Sequence, residues 1–190
     1  MGAGEDAALL SAAASGSVAG VTAALSRAAQ VDAQDADGDT ALGMACYEGN
    51  ATLASLLISS GAAVNKQNKG NNTPLHQACY SGHDAVAVLL IKRGAELECR
   101  NSAGRTPLLQ ACFHGRPALV RLLVEAGADV HAKTTNGKTA WLLAQNKPQS
   151  CHAVRAALGC GPPRQASLSR PIAVLAALAV ALAAVAFLSR

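Results

Sequence analysis

Two stretches read alike, NTPLHQACYSGHDAVAVLLIKRGAELECRN at 72–101 and RTPLLQACFHGRPALVRLLVEAGADVHAK at 105–133. Laid over one another they return Thr-Pro-Leu, Ala-Cys-aromatic, a Leu-Leu pair and Gly-Ala at an interval of 33 residues. The interval holds beyond them. Thr40, Thr73, Thr106 and Thr139 share it, as do Leu42, Leu75, Leu108 and Trp141; Ala45, Ala78, Ala111 and Ala144; and Gly61, Gly94 and Gly127. Weaker echoes run back through Leu9, Ala12, Gly16 and Val31. A compact domain has no reason to return residues at a fixed period, so the pattern points to stacked copies of one small unit.

Each copy carries the same local instructions. The Gly of DGDT, AGRT and NGKT suits a turn that needs a positive φ, and Asn71 holds that place in the third copy. Thr73-Pro74 and Thr106-Pro107 read as an N-cap with proline at the first helical position. The helix begun there should reach about Gly49, Gly82 or Gly115, and a second, carrying Leu56-Leu57, Leu89-Leu90 or Leu122-Leu123, should stop at Gly61, Gly94 or Gly127. Helices this short are marginal alone and must stack. The Ala-Cys pairs 45-46, 78-79 and 111-112 let first helices approach closely, and the Leu pairs supply the shared apolar layer.

With those residues in hand, the chain resembles the ankyrin-repeat family, whose T-P-L-H, L-L and G-A-D-V positions it matches nearly in full. The resemblance implies an all-α solenoid of about five helix-turn-helix units. Clear repeats fall at 37–68, 70–101 and 103–134, with degenerate capping units at 5–36 and 136–158, so that the repeat domain occupies 1–158. The first unit has Ala7 where Thr is expected, and the fifth loses register after Asn146.

Composition sets the remaining bounds. Aromatics are only 3% of 190 residues while 51% are hydrophobic, so the core must be Ala, Leu and Val. The net charge of +4 is split: residues 1–60 carry one Arg against seven acids, and residues 61–190 fifteen bases against five acids. That polarity is too diffuse for nucleic acid. The N-terminus lacks a basic segment before an apolar one, so it does not read as a secretory signal, and Asp6 spoils a myristoylation motif. Six cysteines without a signal peptide point to free thiols.

Chemistry-bearing motifs are absent. Cys46, Cys79 and Cys112 lie at equivalent positions, and units stack about 8–10 Å apart, too far for a disulfide or a shared metal. They read as small packing residues. Cys160, ten residues before the apolar run described below, is a candidate for palmitoylation. His76 and His83 have no nucleophile beside them, and the family resemblance implies structural hydrogen bonds for both. The Asn50 and Asn71 sequons are attributed to chance. The reading is non-enzymatic and includes no cofactor, no nucleic acid and no small-molecule substrate.

Binding residues are expected in two rows. Tyr47, Tyr80 and Phe113 recur at the period and are three of only five aromatics. By resemblance they and their neighbours Glu48, Ser81 and His114 occupy the concave face, where aromatics anchor protein partners. The second row is the loop tips, where Asp37 and Asp39 give way to Lys69 and Asn72, then Ser102 and Arg105, then Thr135 and Lys138. This acid-to-base gradient would orient a partner.

After the repeats, residues 159–170 form a linker rich in Gly, Pro and Ser. Then RPIAVLAALAVALAAVAFLSR holds 17 consecutive apolar residues, Ile172 to Leu188, including Leu175, Leu178, Leu182 and Phe187. As a helix this would be about 26 Å long and apolar on every side, which a thin solenoid cannot cover. A single membrane-spanning helix at 171–189 is therefore expected, similar to those of tail-anchored proteins, in the endoplasmic reticulum or mitochondrial outer membrane with the repeats cytosolic. The function expected is a scaffold or adaptor for protein partners at a membrane. The alternative is an accessory subunit of a channel or transporter, docked through the spanning helix.

Overall fold

The computed structural model describes residues 3–145 together with 155, 156 and 158. Among them the chain forms nine α-helices and no strand: α1 (Ala3–Ala14), α2 (Val18–Ser26), α3 (Ala41–Glu48), α4 (Ala51–Ser59), α5 (Pro74–Ser81), α6 (Asp84–Lys92), α7 (Pro107–His114), α8 (Pro117–Glu125) and α9 (Ala140–Ala144). The first helices of the units, α1, α3, α5, α7 and α9, pack each on the next. The second helices, α2, α4, α6 and α8, form a parallel outer row. The fold is thus the all-α repeat stack expected.

Helix boundaries follow the anticipated signals. Thr40, Thr73, Thr106 and Thr139 each have extended backbone, and each side-chain oxygen accepts from the N–H three residues on, that of Gly43, His76, Leu109 or Leu142. One such cap is worth about 1 kcal/mol. The helices α3, α5 and α7 end on left-handed Gly49, Gly82 and Gly115. Past α4, α6 and α8 the chain turns at Gly61, Gly94 and Gly127, with φ of 92°, 83° and 96°. In the first unit the same turn is made by Ala28, at φ 66°. Where Ala7 replaces the capping Thr nothing stops the helix, and α1 runs for 12 residues against 8 in α5.

The core is a continuous layer. Leu42, Leu75 and Leu108 on the inner helices and Leu57, Leu90 and Leu123 on the outer ones are fully buried, with Ala45, Ala78 and Ala111 between them. Cys46, Cys79 and Cys112 join this layer as free, buried thiols, and burial pushes the Cys112 thiol up to about 12. They are the packing residues anticipated. One further device was not anticipated. His83 lies over Gly49 and Arg116 over Gly82, close enough that a Cβ on either glycine would collide with the overlying side chain.

The loops between units are built around the row Asp35, Asn68, Asn101 and Thr134. Each side-chain oxygen accepts backbone N–H groups ahead of it: Asp37 and Asp39, Gly70 and Asn72, Ala103 and Arg105, and Lys138. Each loop is also closed by a backbone bond, from the N–H of Asp35, Asn68, Asn101 or Thr134 to the carbonyl of Asp39, Asn72, Arg105 or Lys138, and the side-chain turns add to that pairing. The tips then need a positive φ, supplied by Gly38, Asn71, Gly104 and Gly137. No helix among the described residues is long and apolar enough to cross a membrane. The linker at 159–170 and the run Ile172 to Leu188 lie outside the described residues, as does residue 146 onward to 154 in the fifth unit.

Candidate functional site

The inner helices and the loops together line three hollows along one side of the stack. The first, of about 230 Å³, is bounded by Asp39, Met44, Tyr47, Glu48 and Gln77. The second, of about 290 Å³, continues from Asp39, Tyr47 and Gln77 to Asn72, Tyr80 and Gln110. The third, of about 250 Å³, lies between Ser102, Arg105, Phe113, Thr135 and Lys138. Each places a loop residue opposite the aromatic of its own unit: Asp39 with Tyr47, Asn72 with Tyr80, Arg105 with Phe113.

The aromatic row is real but not uniform. Tyr47 and Tyr80 are 46% and 45% exposed and stack with ring centroids 5.8 Å apart. The His114 ring continues the row at 4.4 Å from Tyr80 and 5.0 Å from Phe113. Phe113 differs. It is half-buried against the core, and the Arg105 guanidinium covers its face at 3.7 Å. Burial there lowers the Arg105 pKa, though a guanidinium stays charged at any ordinary pH. Glu48 is exposed on the rim of the first hollow, whereas Ser81 lines none of the three.

The loop row divides once the geometry is known. Asp39, Asn72 and Arg105 face the inner helices. The Asp39 carboxylate accepts from Asn68 Nδ2 at 2.8 Å and Gln77 Nε2 at 2.6 Å through one oxygen. Asn72 Oδ1 accepts from Asn101 Nδ2 at 2.9 Å. Gln77 reaches Asp39 across Gly43, where a Cβ would stand 2.5 Å from the Gln77 carbonyl oxygen. Lys69 is different again: its ammonium donates to Ala36 O at 2.6 Å and its N–H to Asp37 O at 3.1 Å. These bonds tie neighbouring loops together. Ser102 and Thr135 are exposed on the third hollow, and Lys138 stands beside them.

His76 makes structural bonds only. Nδ1 accepts from Thr73 N–H at 3.3 Å and lies 2.9 Å from Thr73 Oγ1. That fixes the proton on Nε2, which donates to Arg105 O at 2.9 Å in the next loop. Burial lowers its pKa, outweighing the backbone bonds that act the other way. Asn50 is equally committed: Oδ1 caps α4 by accepting from Leu53 N–H, and Nδ2 donates to Gly16 O.

A family model for ankyrin repeats, three copies long, matches residues 9–101 and again 89–162, more than half of the chain. The chain belongs to the ankyrin-repeat family. Ankyrin repeats are protein-protein interaction modules, so a role in binding proteins follows from the family itself. No curated protein gives a significant match to the chain. Against the ankyrin register, the residues that spacing alone did not single out are Asn68, Gln77, Asn101 and Gln110. The Asx row was visible as Asp35, Asn68 and Asn101 at the 33-residue interval. Gln77 and Gln110 repeat once at the same interval beside Ala-Cys and were visible too.

Proposed function

We propose that the protein is a membrane-attached adaptor. Its ankyrin stack binds a protein partner through the face carrying Tyr47 and Tyr80, and the apolar segment Ile172 to Leu188 holds it to a bilayer with the repeats on the cytosolic side. The observation that carries the binding role is the exposed tyrosine pair, stacked at 5.8 Å beside an open hollow. Large aromatics left half in solvent are well suited as anchors, because they bury much area while losing little side-chain freedom. The membrane role rests on the 17 apolar residues alone.

Two experiments test the two halves. A photo-crosslinking amino acid at position 80 should capture a protein partner in cells, and Tyr47→Ala should weaken that capture about tenfold, the scale of an interface anchor. Capture unaffected by Tyr47→Ala would defeat the assignment of this face. Carbonate extraction should leave the intact chain in the pellet, and deleting residues 171–189 should release it.

A further inference from the structure

The three hollows differ in charge in a way that narrows what they hold. The first is lined by two carboxylates, Asp39 and Glu48, and no base. The third is lined by Arg105 and Lys138 and no acid. Between them the second is lined largely by amides, Asn68, Asn72, Gln77, Asn101 and Gln110. The two inner charges are held in place. Asp39 is fixed by Asn68 and Gln77 through one oxygen, and its other oxygen makes no hydrogen bond among the described residues. The Arg105 guanidinium carbon stands 3.7 Å over the centre of the Phe113 ring. Charges already fixed lose little freedom on binding.

We infer that this face binds an extended segment of a protein partner that places a basic side chain between Asp39 and Glu48 and an acidic side chain between Arg105 and Lys138. The amides of the middle hollow, each carrying both donor and acceptor, suit the backbone of the segment in between. The apolar stem of a Lys or Arg would lie along Met44 and Tyr47 in the first hollow. The spacing follows from the stack. Asp39 and Arg105 are equivalent positions two units apart, and packed helices stand about 8–10 Å apart, so two steps span about 16–20 Å. An extended chain rising about 3.3 Å per residue covers this in about five or six residues. This inference rests on the protein-binding role proposed above and adds the partner's charge pattern to it.

The test is selection of a random twelve-residue peptide library displayed on phage, against the full chain in detergent micelles. Enriched peptides should carry one basic and one acidic residue about five or six positions apart. Glu48 and Lys138 are exposed and make no side-chain hydrogen bond among the described residues, so reversing either leaves the stack intact, as circular dichroism would verify. Selection on Glu48→Lys should keep the acidic residue and lose the basic one, and selection on Lys138→Glu should do the opposite. A peptide selected on the native chain should bind each variant about fivefold more weakly, the effect of one exposed ion pair. Enriched peptides without charges, or with charges at scattered spacings, overturn the inference while leaving the adaptor role standing. A library that yields no enrichment overturns it too, and the adaptor role is judged separately by crosslinking at position 80.

Discussion

The third unit and the first follow the same course from inner to outer helix, yet they differ, among others, at three equivalent positions that set caps and turns. The third has Thr73, His76 and Gly94; the first has Ala7, Leu10 and Ala28. Thr73 and His76 form a reciprocal cap on α5, and His76 also holds the loop of the fourth unit through Arg105 O. In the first unit neither bond exists: α1 simply continues past Ala7, and Leu10 is a half-buried apolar side chain. The turn after the outer helix is left-handed in both, at φ 83° for Gly94 and 66° for Ala28. The stack therefore imposes the backbone path, and the side chains determine how much each unit gains from adopting it.

The largest test of that contrast is His76→Ala. It removes half of the cap, opens a cavity at a fully enclosed site and leaves Arg105 O without its partner from the third unit. Together these should cost about 3 kcal/mol in urea unfolding followed by circular dichroism. Leu10→Ala, at a half-buried site without a polar role, should cost about half as much or less. Equal losses would break the contrast between the two units.

Acid probes the same histidine. Burial holds the folded pKa of His76 below its ordinary 6.5, so the unfolded chain takes up this proton first. Stability contributed by the neutral ring is complete above 6.5 and is lost as pH falls from there to the lower folded pKa. The slope in that window should approach about 1.4 kcal/mol per pH unit for one proton. Urea midpoints measured from pH 7.5 downward should show it, and His76→Leu should flatten the curve, since Leu109 occupies the equivalent site in the fourth unit fully buried. A curve unchanged by that substitution would place the titrating group elsewhere.

The same contrast explains what could be read from residues alone. Caps, turn glycines and the buried cysteine row were legible because each acts at its own position, and the 33-residue period makes position equivalent from unit to unit. The bonds between units that shape the inner face were not. Asn68 meets Asp39, Gln77 meets Asp39 and His76 meets Arg105 at separations of 29, 38 and 29 residues. None is a multiple of the period, because the loop of one unit leans on a different part of the next. That is why Asp39, Asn72 and Arg105 looked like loop tips in the sequence but line hollows against the helices, whereas Lys69, charged and exposed, is tied to Ala36 of the preceding loop 33 residues away. Phe113 kept its register but not its exposure, because Arg105 had no counterpart in the earlier units that could cover an aromatic ring.

The smallest predicted effects are at the turn where the first unit has Ala and the others Gly. At Gly94 a Cβ would meet nothing within 4 Å, so Gly94→Ala tests backbone strain alone. A left-handed alanine is disfavoured by about 1–2 kcal/mol, and alanine narrows the unfolded ensemble by about 0.4–1 kcal/mol, so the net loss should be about 1 kcal/mol. Ala28→Gly reverses the exchange. It relieves φ 66° but gives the unfolded chain more freedom, and the gain should be about 0.5–1 kcal/mol, read as a higher urea midpoint with unchanged slope. The two substitutions are mirror images only if the stack holds Ala28 as firmly as Gly94. If the first unit frays instead, Ala28 can relax out of the left-handed region before the rest unfolds, and Ala28→Gly will gain nothing while Gly94→Ala still loses. The ratio of the two effects therefore measures how tightly the first unit is bound to the stack.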